Sequence, residues 1–79
     1  MKTSIKTKTQ LINRLDKAGM PYFTFQLKGE TEVYTYVYIK TAKGNPGLYK
    51  FDKDLKLIDK TMNEARIIAT FKAFKKTMQ

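Results

Sequence analysis

The first apolar repeat along the chain predicts a short amphipathic helix. Leu11 and Leu15 lie four residues apart, on what would be one side of a helix over residues 8–18. A capping box begins at Thr7, and Gly19 suits the left-handed position that follows a helix. The sequence therefore predicts both ends of this helix as well as its buried side.

A second helical repeat predicts another helix at the end of the chain. It would begin with a capping box at Thr61 and Glu64 and run to about Lys76. Its large apolar residues recur at intervals of four and three, and a ridge of alanines runs beside them. The large ridge comprises Ile67, Phe71, Phe74 and Met78, and the small one comprises Ala65, Ala69 and Ala73. The small ridge would allow close approach to a sheet or to another helix.

Between the two helices the apolar period changes to two, which predicts β-strands. The predicted strands cover residues 22–28, 32–41, 48–52 and about 55–59. They are separated by a turn at residues 29–31, a loop rich in Gly and Pro at residues 42–47, and an Asp-rich hairpin turn at residues 51–55. The result is an antiparallel meander of three or four strands.

These elements predict an α+β fold in a single small domain over residues 1–79, with residues 1–6 expected to fray. The order is an N-terminal helix, an antiparallel meander of three or four strands and a C-terminal helix. Odd-numbered strand residues, from Phe23 to Leu57, would form the core, and both helices would cover this one face of the sheet. Even-numbered strand residues would then be exposed on the opposite face.

The composition excludes much catalytic chemistry. The chain has 79 residues with no His and no Cys, so it lacks a His general base, a Cys nucleophile, a Cys or His zinc site and a disulfide framework. Asp52 and Asp54 flank a turn, and their spacing is not that of a calcium loop. We therefore expect a non-enzymatic protein with no metal site and no cofactor.

The charge of the chain points to a polyanionic partner. Lys and Arg number 16 against 7 Asp and Glu, which gives a net charge of +9, and all but two of the basic residues are lysines. Lysine is a flexible point charge, so it suits phosphate backbones better than base edges. A Lys-rich composition also follows from an AT-rich coding sequence, and the charge alone does not decide between these explanations.

Tyrosines and lysines interleave on the face of the sheet that would be exposed. The interleaved residues are Tyr34, Tyr36 and Tyr38 with Lys28, Lys40, Lys50 and Lys56. Aromatic rings on an open sheet can stack on unpaired bases, at about 1 to 3 kcal/mol per base, while lysines contact the phosphates. These seven residues are therefore candidate nucleic-acid-binding residues. Two alternatives stay open, namely a half-buried tyrosine row that simply suits a strand, and a protein interface.

A second basic cluster lies near the end of the predicted C-terminal helix. Lys72, Lys75 and Lys76 fall on one side, away from the large apolar ridge, and no acidic residue follows Glu64. These lysines are also candidate nucleic-acid-binding residues. Cations near a helix C-terminus are stabilised by the helix dipole as well, so a solvated basic face is the alternative.

The leading functional prediction is a small basic nucleic-acid-binding domain that uses the Tyr and Lys sheet face, the basic helix face, or both. The alternative is a protein-binding inhibitor or accessory factor, of phage or mobile-element type, that docks on an acidic protein surface. A homodimer formed through the alanine ridge or a sheet edge is a third hypothesis. No segment has the length of a membrane span or the apolar core of a signal peptide, so we expect a cytoplasmic protein with no membrane partner.

The order of helix, antiparallel strands and helix is similar to that of the double-stranded RNA-binding domain. In that family a Lys-Lys-x-Ala-Lys cluster opens the last helix and contacts phosphates across a groove. The corresponding residues here are 62–66, of which Ala65 and Arg66 fit and Glu64 does not. The likeness therefore concerns topology alone, which does not transfer function.

Overall fold

The structure, a computed structural model, describes residues 5–40, 44 and 46–77. These residues form two helices and four strands. The helices are α1 (Lys8–Ala18) and α2 (Glu64–Thr77), and the strands are β1 (Tyr22–Lys28), β2 (Val33–Lys40), β3 (Pro46–Phe51) and β4 (Leu57–Thr61). Predictions that concern residues 1–4, 41–43, 45 and 78–79 lie outside the described residues.

The four strands form one sheet in chain order, and each neighbouring pair is antiparallel. β1 has its predicted bounds, whereas β3 begins two residues early because Pro46 pairs with Lys40. Proline is compatible with the first position of a strand, where it removes no essential donor. The α+β order of helix, antiparallel meander and helix is confirmed, with four strands, and both helices pack against the sheet.

The two helices lie on opposite faces of the sheet, which corrects the expectation that they share one face. Consecutive residues of a strand point to opposite faces. In β2, Val37 packs in the apolar cluster with Leu11 and Leu15 of α1. Its neighbour Tyr36 packs in a separate cluster with Ile67 of α2. The sheet is therefore the middle of three layers.

The turn between β1 and β2 explains why the apolar strand residues are divided between the two faces of the sheet. Phe25 lies directly opposite Tyr36, so an odd-numbered residue of β1 shares a face with an even-numbered residue of β2. The parity changes again between β3 and β4, where Lys50 lies opposite Asp59. The prediction carried one parity through all the strands, whereas the register keeps it throughout only between β2 and β3. Between β3 and β4 the parity returns after a bulge at Lys50 and Phe51, where Phe51 pairs with Leu57.

Each face of the sheet consequently has its own apolar core. The core beneath α1 contains Leu11, Leu15, Val37, Ile39 and Phe51. The core beneath α2 contains Phe25, Tyr36, Leu48 and Ile67, with Phe71 and Phe74 packed against it. The large ridge predicted for the last helix therefore faces the sheet along the described part of α2.

α1 begins and ends where the sequence predicts. The Thr7 hydroxyl accepts a hydrogen bond from the Gln10 amide at 3.2 Å, and the Gln10 side chain accepts one from the Thr7 amide at 3.3 Å. These reciprocal bonds are the predicted capping box. Gly19 follows the helix with φ of 66°, and the Met20 amide then donates to the Leu15 carbonyl at 2.9 Å. The glycine is needed here because a side chain disfavours this left-handed conformation.

α2 starts later than the predicted capping box at Thr61. Asn63 is the residue that caps it, because its Oδ1 accepts a hydrogen bond from the Arg66 amide at 3.2 Å. Thr61 is the last residue of β4, and its hydroxyl accepts a bond from the Asn63 amide at 3.1 Å. The threonine therefore stabilises the turn that joins the strand to the helix, and the prediction of its role as the cap is wrong.

The Asp-rich turn between β3 and β4 is held by one carboxylate. Asp52 Oδ1 accepts hydrogen bonds from the amides of Asp54 and Lys56, both at 2.9 Å. Turn residues therefore extend to position 56, which delays the start of β4 to Leu57. The Leu57 amide also donates to the Lys6 carbonyl at 2.7 Å. This bond joins residue 6 to the first residue of β4.

Candidate nucleic-acid interface

The three tyrosines of β2 lie beneath α2 and do not form an open stacking surface. Tyr36 is 9% exposed, and Tyr34 and Tyr38 are half-buried. The Tyr36 ring stacks on Phe25, with centroids 5.1 Å apart and planes 4° apart. Tyr38 meets Phe71 of α2 edge-on at 5.1 Å. The prediction of an exposed tyrosine face is therefore corrected, because α2 occupies the space that bases would need.

Aromatic rings supply most of the contact between α2 and the sheet. Phe74 lies 4.8 Å from Phe25 and 6.4 Å from Phe23, measured between ring centroids. Phe71 lies 5.2 Å from Phe25. Such pairs contribute about 0.5 to 1.5 kcal/mol each beyond the burial of their area. The tyrosine row belongs to this aromatic core, so its primary role in the structure is to hold α2.

Lys50 makes its principal contacts inside the protein. Its ammonium nitrogen lies 4.3 Å from the centroid of the Tyr34 ring and 6.0 Å from that of Tyr36, within the range of cation–π attraction. The side chain is half-buried and borders a polar pocket of about 210 Å³ between α2 and the sheet. In the same pocket Arg66 donates to Asp59 at 2.9 Å. Lys50 therefore supports the docking of α2 and is a poor candidate for contacting an external ligand.

Burial beside this pocket raises the pKa of Tyr36. Desolvation of the phenol is the main cause, and the nearby Tyr34 and Asp59 add to it. A phenol with a raised pKa holds its proton more firmly. A phenolate base or nucleophile needs the opposite shift, so the environment of Tyr36 favours a structural role over a catalytic one.

The other lysines predicted for the sheet face do not share one surface. Lys40 has the parity of Tyr36 and lies on the α2 face, whereas Lys28 is opposite Val33 and lies on the α1 face. Lys56 lies in the turn before β4, where its backbone bridges to Thr7. All three lysines are exposed. The structure therefore leaves them as separate charges and does not assemble the predicted sheet site.

Lys72, Lys75 and Lys76 do share one exposed side of α2. At about 100° per residue, these side chains span an arc of about 100° that points away from Ile67. Within Glu64–Thr77 no acidic residue follows Glu64. The second half of the helix therefore carries only positive charge, and we call these three residues the α2 lysine face.

The α2 lysine face also borders apolar groups that the large helical ridge does not include. Ile68, one turn before Lys72, is 53% exposed. Ala65, Ala69 and Ala73 are exposed as well, so the predicted small ridge faces solvent and does not contact the sheet. Ile68 was not among the surface residues predicted from the sequence. Its four-residue spacing to Lys72 could have identified it, because that spacing places Ile68 among the lysines and outside the large ridge.

Comparison of the chain with protein families, curated proteins and solved structures finds no match. In the part of the chain that the structure describes, no helix is long and apolar enough to cross a membrane. The same residues contain no group of three or more acidic side chains arranged to hold a metal ion.

Proposed function

We propose that this protein is a non-enzymatic nucleic-acid-binding domain that contacts the phosphate backbone through the α2 lysine face. The observation that supports this proposal most is the placement of three lysines on one exposed side of a helix that carries no opposing acid after Glu64. The net charge of +9 would add long-range attraction to any polyanion.

The chemistry of these residues favours contacts that do not read sequence. Lysine lacks the planar fork by which arginine recognises guanine edges and phosphates, so it acts as a positive point charge. Ala69 and Ala73 beside the lysines have short side chains, which would let the helix approach a nucleic-acid backbone closely. The C-terminal end of a helix carries partial negative charge. The attraction must therefore come from the lysine side chains themselves.

The number of lysines sets the expected salt dependence. If three phosphates are neutralised, log affinity should fall against log salt with a slope of about −2.7 on duplex DNA and about −2.1 on single strands. On duplex DNA this slope corresponds to a loss of about 40-fold in affinity between 50 and 200 mM salt. Slopes of this size are measurable by fluorescence anisotropy.

The test compares two triple variants with the same net charge. The first replaces Lys72, Lys75 and Lys76 with Gln, and the matched control replaces Lys28, Lys53 and Lys60, three exposed lysines outside α2, with Gln. Anisotropy titrations with labelled duplex and single-stranded oligonucleotides are run at several salt concentrations. We expect the α2 variant to lose most of the salt-dependent affinity and the control to retain most of it. Equal loss in both variants, or no binding by the wild type at 50 mM salt, would overturn the proposal.

Docking on an acidic protein is the second candidate, and Ile68 is the observation that favours it. An exposed apolar side chain among charged residues resembles the centre of a protein interface, where a few apolar anchors supply most of the energy. Ile68→Ser should leave phosphate binding within about twofold, because it removes no charge. If the wild type binds no nucleic acid, but retains a protein partner after nuclease treatment that Ile68→Ser loses, the second candidate replaces the first.

A further inference from the structure

An apolar cavity of about 420 Å³ lies between α1 and the sheet. It is on the face of the sheet opposite α2, and it is bordered by strands β2 and β3. Its lining includes the buried side chains of Leu15 and Ile39 and the half-buried Tyr49. Cavities that bind small molecules have volumes of about 300 to 1,000 Å³ and mostly apolar walls. The cavity therefore has the size and surface of a ligand site.

Two small residues keep this space open. Gly47 in β3 lies directly opposite Ile39, and a Cβ added to it would approach no atom more closely than 3.9 Å. Ala18 is the last residue of α1 and presents only a methyl group to the cavity. A larger side chain at either position would extend into the volume that the core leaves unfilled.

One charged residue accompanies this apolar lining. Arg14 of α1 lies at the border of the cavity, and the other lining residues within the described part of the chain are uncharged. A guanidinium has five donors in a planar fork that matches the two oxygens of a carboxylate. Arg14 already interacts within the protein, and a guanidinium has enough donors to bind a carboxylate as well.

We propose that this cavity binds an amphipathic monocarboxylate, with its alkyl chain between α1 and the sheet and its carboxylate on Arg14. The alkyl chain would supply affinity by leaving water for an apolar space. The arginine would supply selectivity for an anionic head group. This site is on a different layer of the fold from the α2 lysine face, so it is independent of the proposed nucleic-acid contact.

Decanoate and decanol are suitable probes because they share a chain and differ in the charge of the head group. Titration calorimetry of the full chain, with both probes kept below their aggregation limits, should show saturable binding of one decanoate. Arg14→Gln should weaken decanoate binding about 10-fold or more and change decanol binding less than twofold. Lys17→Gln is the matched control, since Lys17 carries the same charge on the same helix and is not among the described lining residues.

Two further variants test the cavity itself. Gly47→Val and Ala18→Leu should each weaken both probes about 10-fold, while thermal unfolding shows that the variant is folded. Either one suffices if the other fails to fold. The proposal is overturned if the wild type shows no saturable decanoate binding, if Arg14→Gln and Lys17→Gln have equal effects, or if a folded filled variant binds decanoate normally.

Discussion

Replacing Tyr36 with Ala tests whether the tyrosine row is a core element or a ligand surface. The ring is 9% exposed, stacks on Phe25 at 5.1 Å and packs with Ile67 of α2. Truncation of a buried aromatic residue to alanine costs about 3 to 5 kcal/mol. A chain of 79 residues has a total stability of about 4 to 12 kcal/mol, at about 0.05 to 0.15 kcal/mol per residue. The variant should therefore lose a large part of its stability.

Thermal and urea unfolding, followed by circular dichroism, measure this loss. Because each kcal/mol shifts Tm by about 4 to 8 °C in a domain of this size, we expect Tm to fall by about 12 to 40 °C. Tyr22→Ala is the matched control, since Tyr22 is 39% exposed on the edge strand β1 and points to the opposite face. Its cost should stay below about 1 kcal/mol.

The result that would refute this reasoning combines stability with binding. If Tyr36→Ala unfolded within about 1 kcal/mol of the wild type and bound single strands several-fold more weakly, the ring would be acting on bases and not on α2. Loss of stability in Tyr36→Ala with little loss in Tyr22→Ala supports the packing that the structure shows.

Two further predictions concern the ionisation of Tyr36 and the space around two glycines. The pKa of Tyr36 is raised in the native state, so the native state binds the phenol proton more tightly than the unfolded state does. Ionisation of Tyr36 should therefore leave the free energy of unfolding unchanged below about pH 9 and should lower it as pH rises above about 10. Urea unfolding at pH 8 and 11 should therefore show a larger loss for the wild type than for Tyr36→Phe, and equal losses would contradict the shift. Gly29→Ala should lower the free energy of unfolding by about 1 to 3 kcal/mol, because the added Cβ would lie 2.9 Å from the Glu32 carbonyl oxygen. Gly47→Ala is the control for the same unfolding measurements. Its Cβ would lie no closer than 3.9 Å to any atom, so its stability should not fall.

Local signals in the sequence predicted the elements of the fold well. The capping box at Thr7 and the glycine at position 19 mark both ends of α1, and the structure has the predicted bounds. These signals work because the residues satisfy backbone groups within a few positions of themselves. Where two local signals competed, the prediction was less accurate. Thr61 has the spacing of a cap, but Asn63 lies closer to the start of α2 and takes that role.

The candidate site depended on information that no single strand contains. Alternation along β2 correctly placed Tyr34, Tyr36 and Tyr38 on one face. Whether that face is open depends on which helix covers it, and both helices have an apolar side. Lys72, Lys75 and Lys76 could be placed correctly because helical spacing alone puts them opposite the large ridge. The helix face was therefore predictable, whereas the sheet face was not.

The turn at Gly29 explains why aromatic residues of β1 share a face with the tyrosines of β2. Its amide donates to the Glu32 carbonyl at 2.7 Å, and this close contact leaves no room for a side chain. The tight turn pairs Lys28 with Val33, and the sum of these numbers is odd. Every odd residue of β1 is then on the face of the even residues of β2, which brings Phe25 beside Tyr36 and creates the aromatic surface that α2 covers. A one-residue change in that turn would move Phe25 to the other face and would remove from the tyrosine face the ring on which Tyr36 stacks.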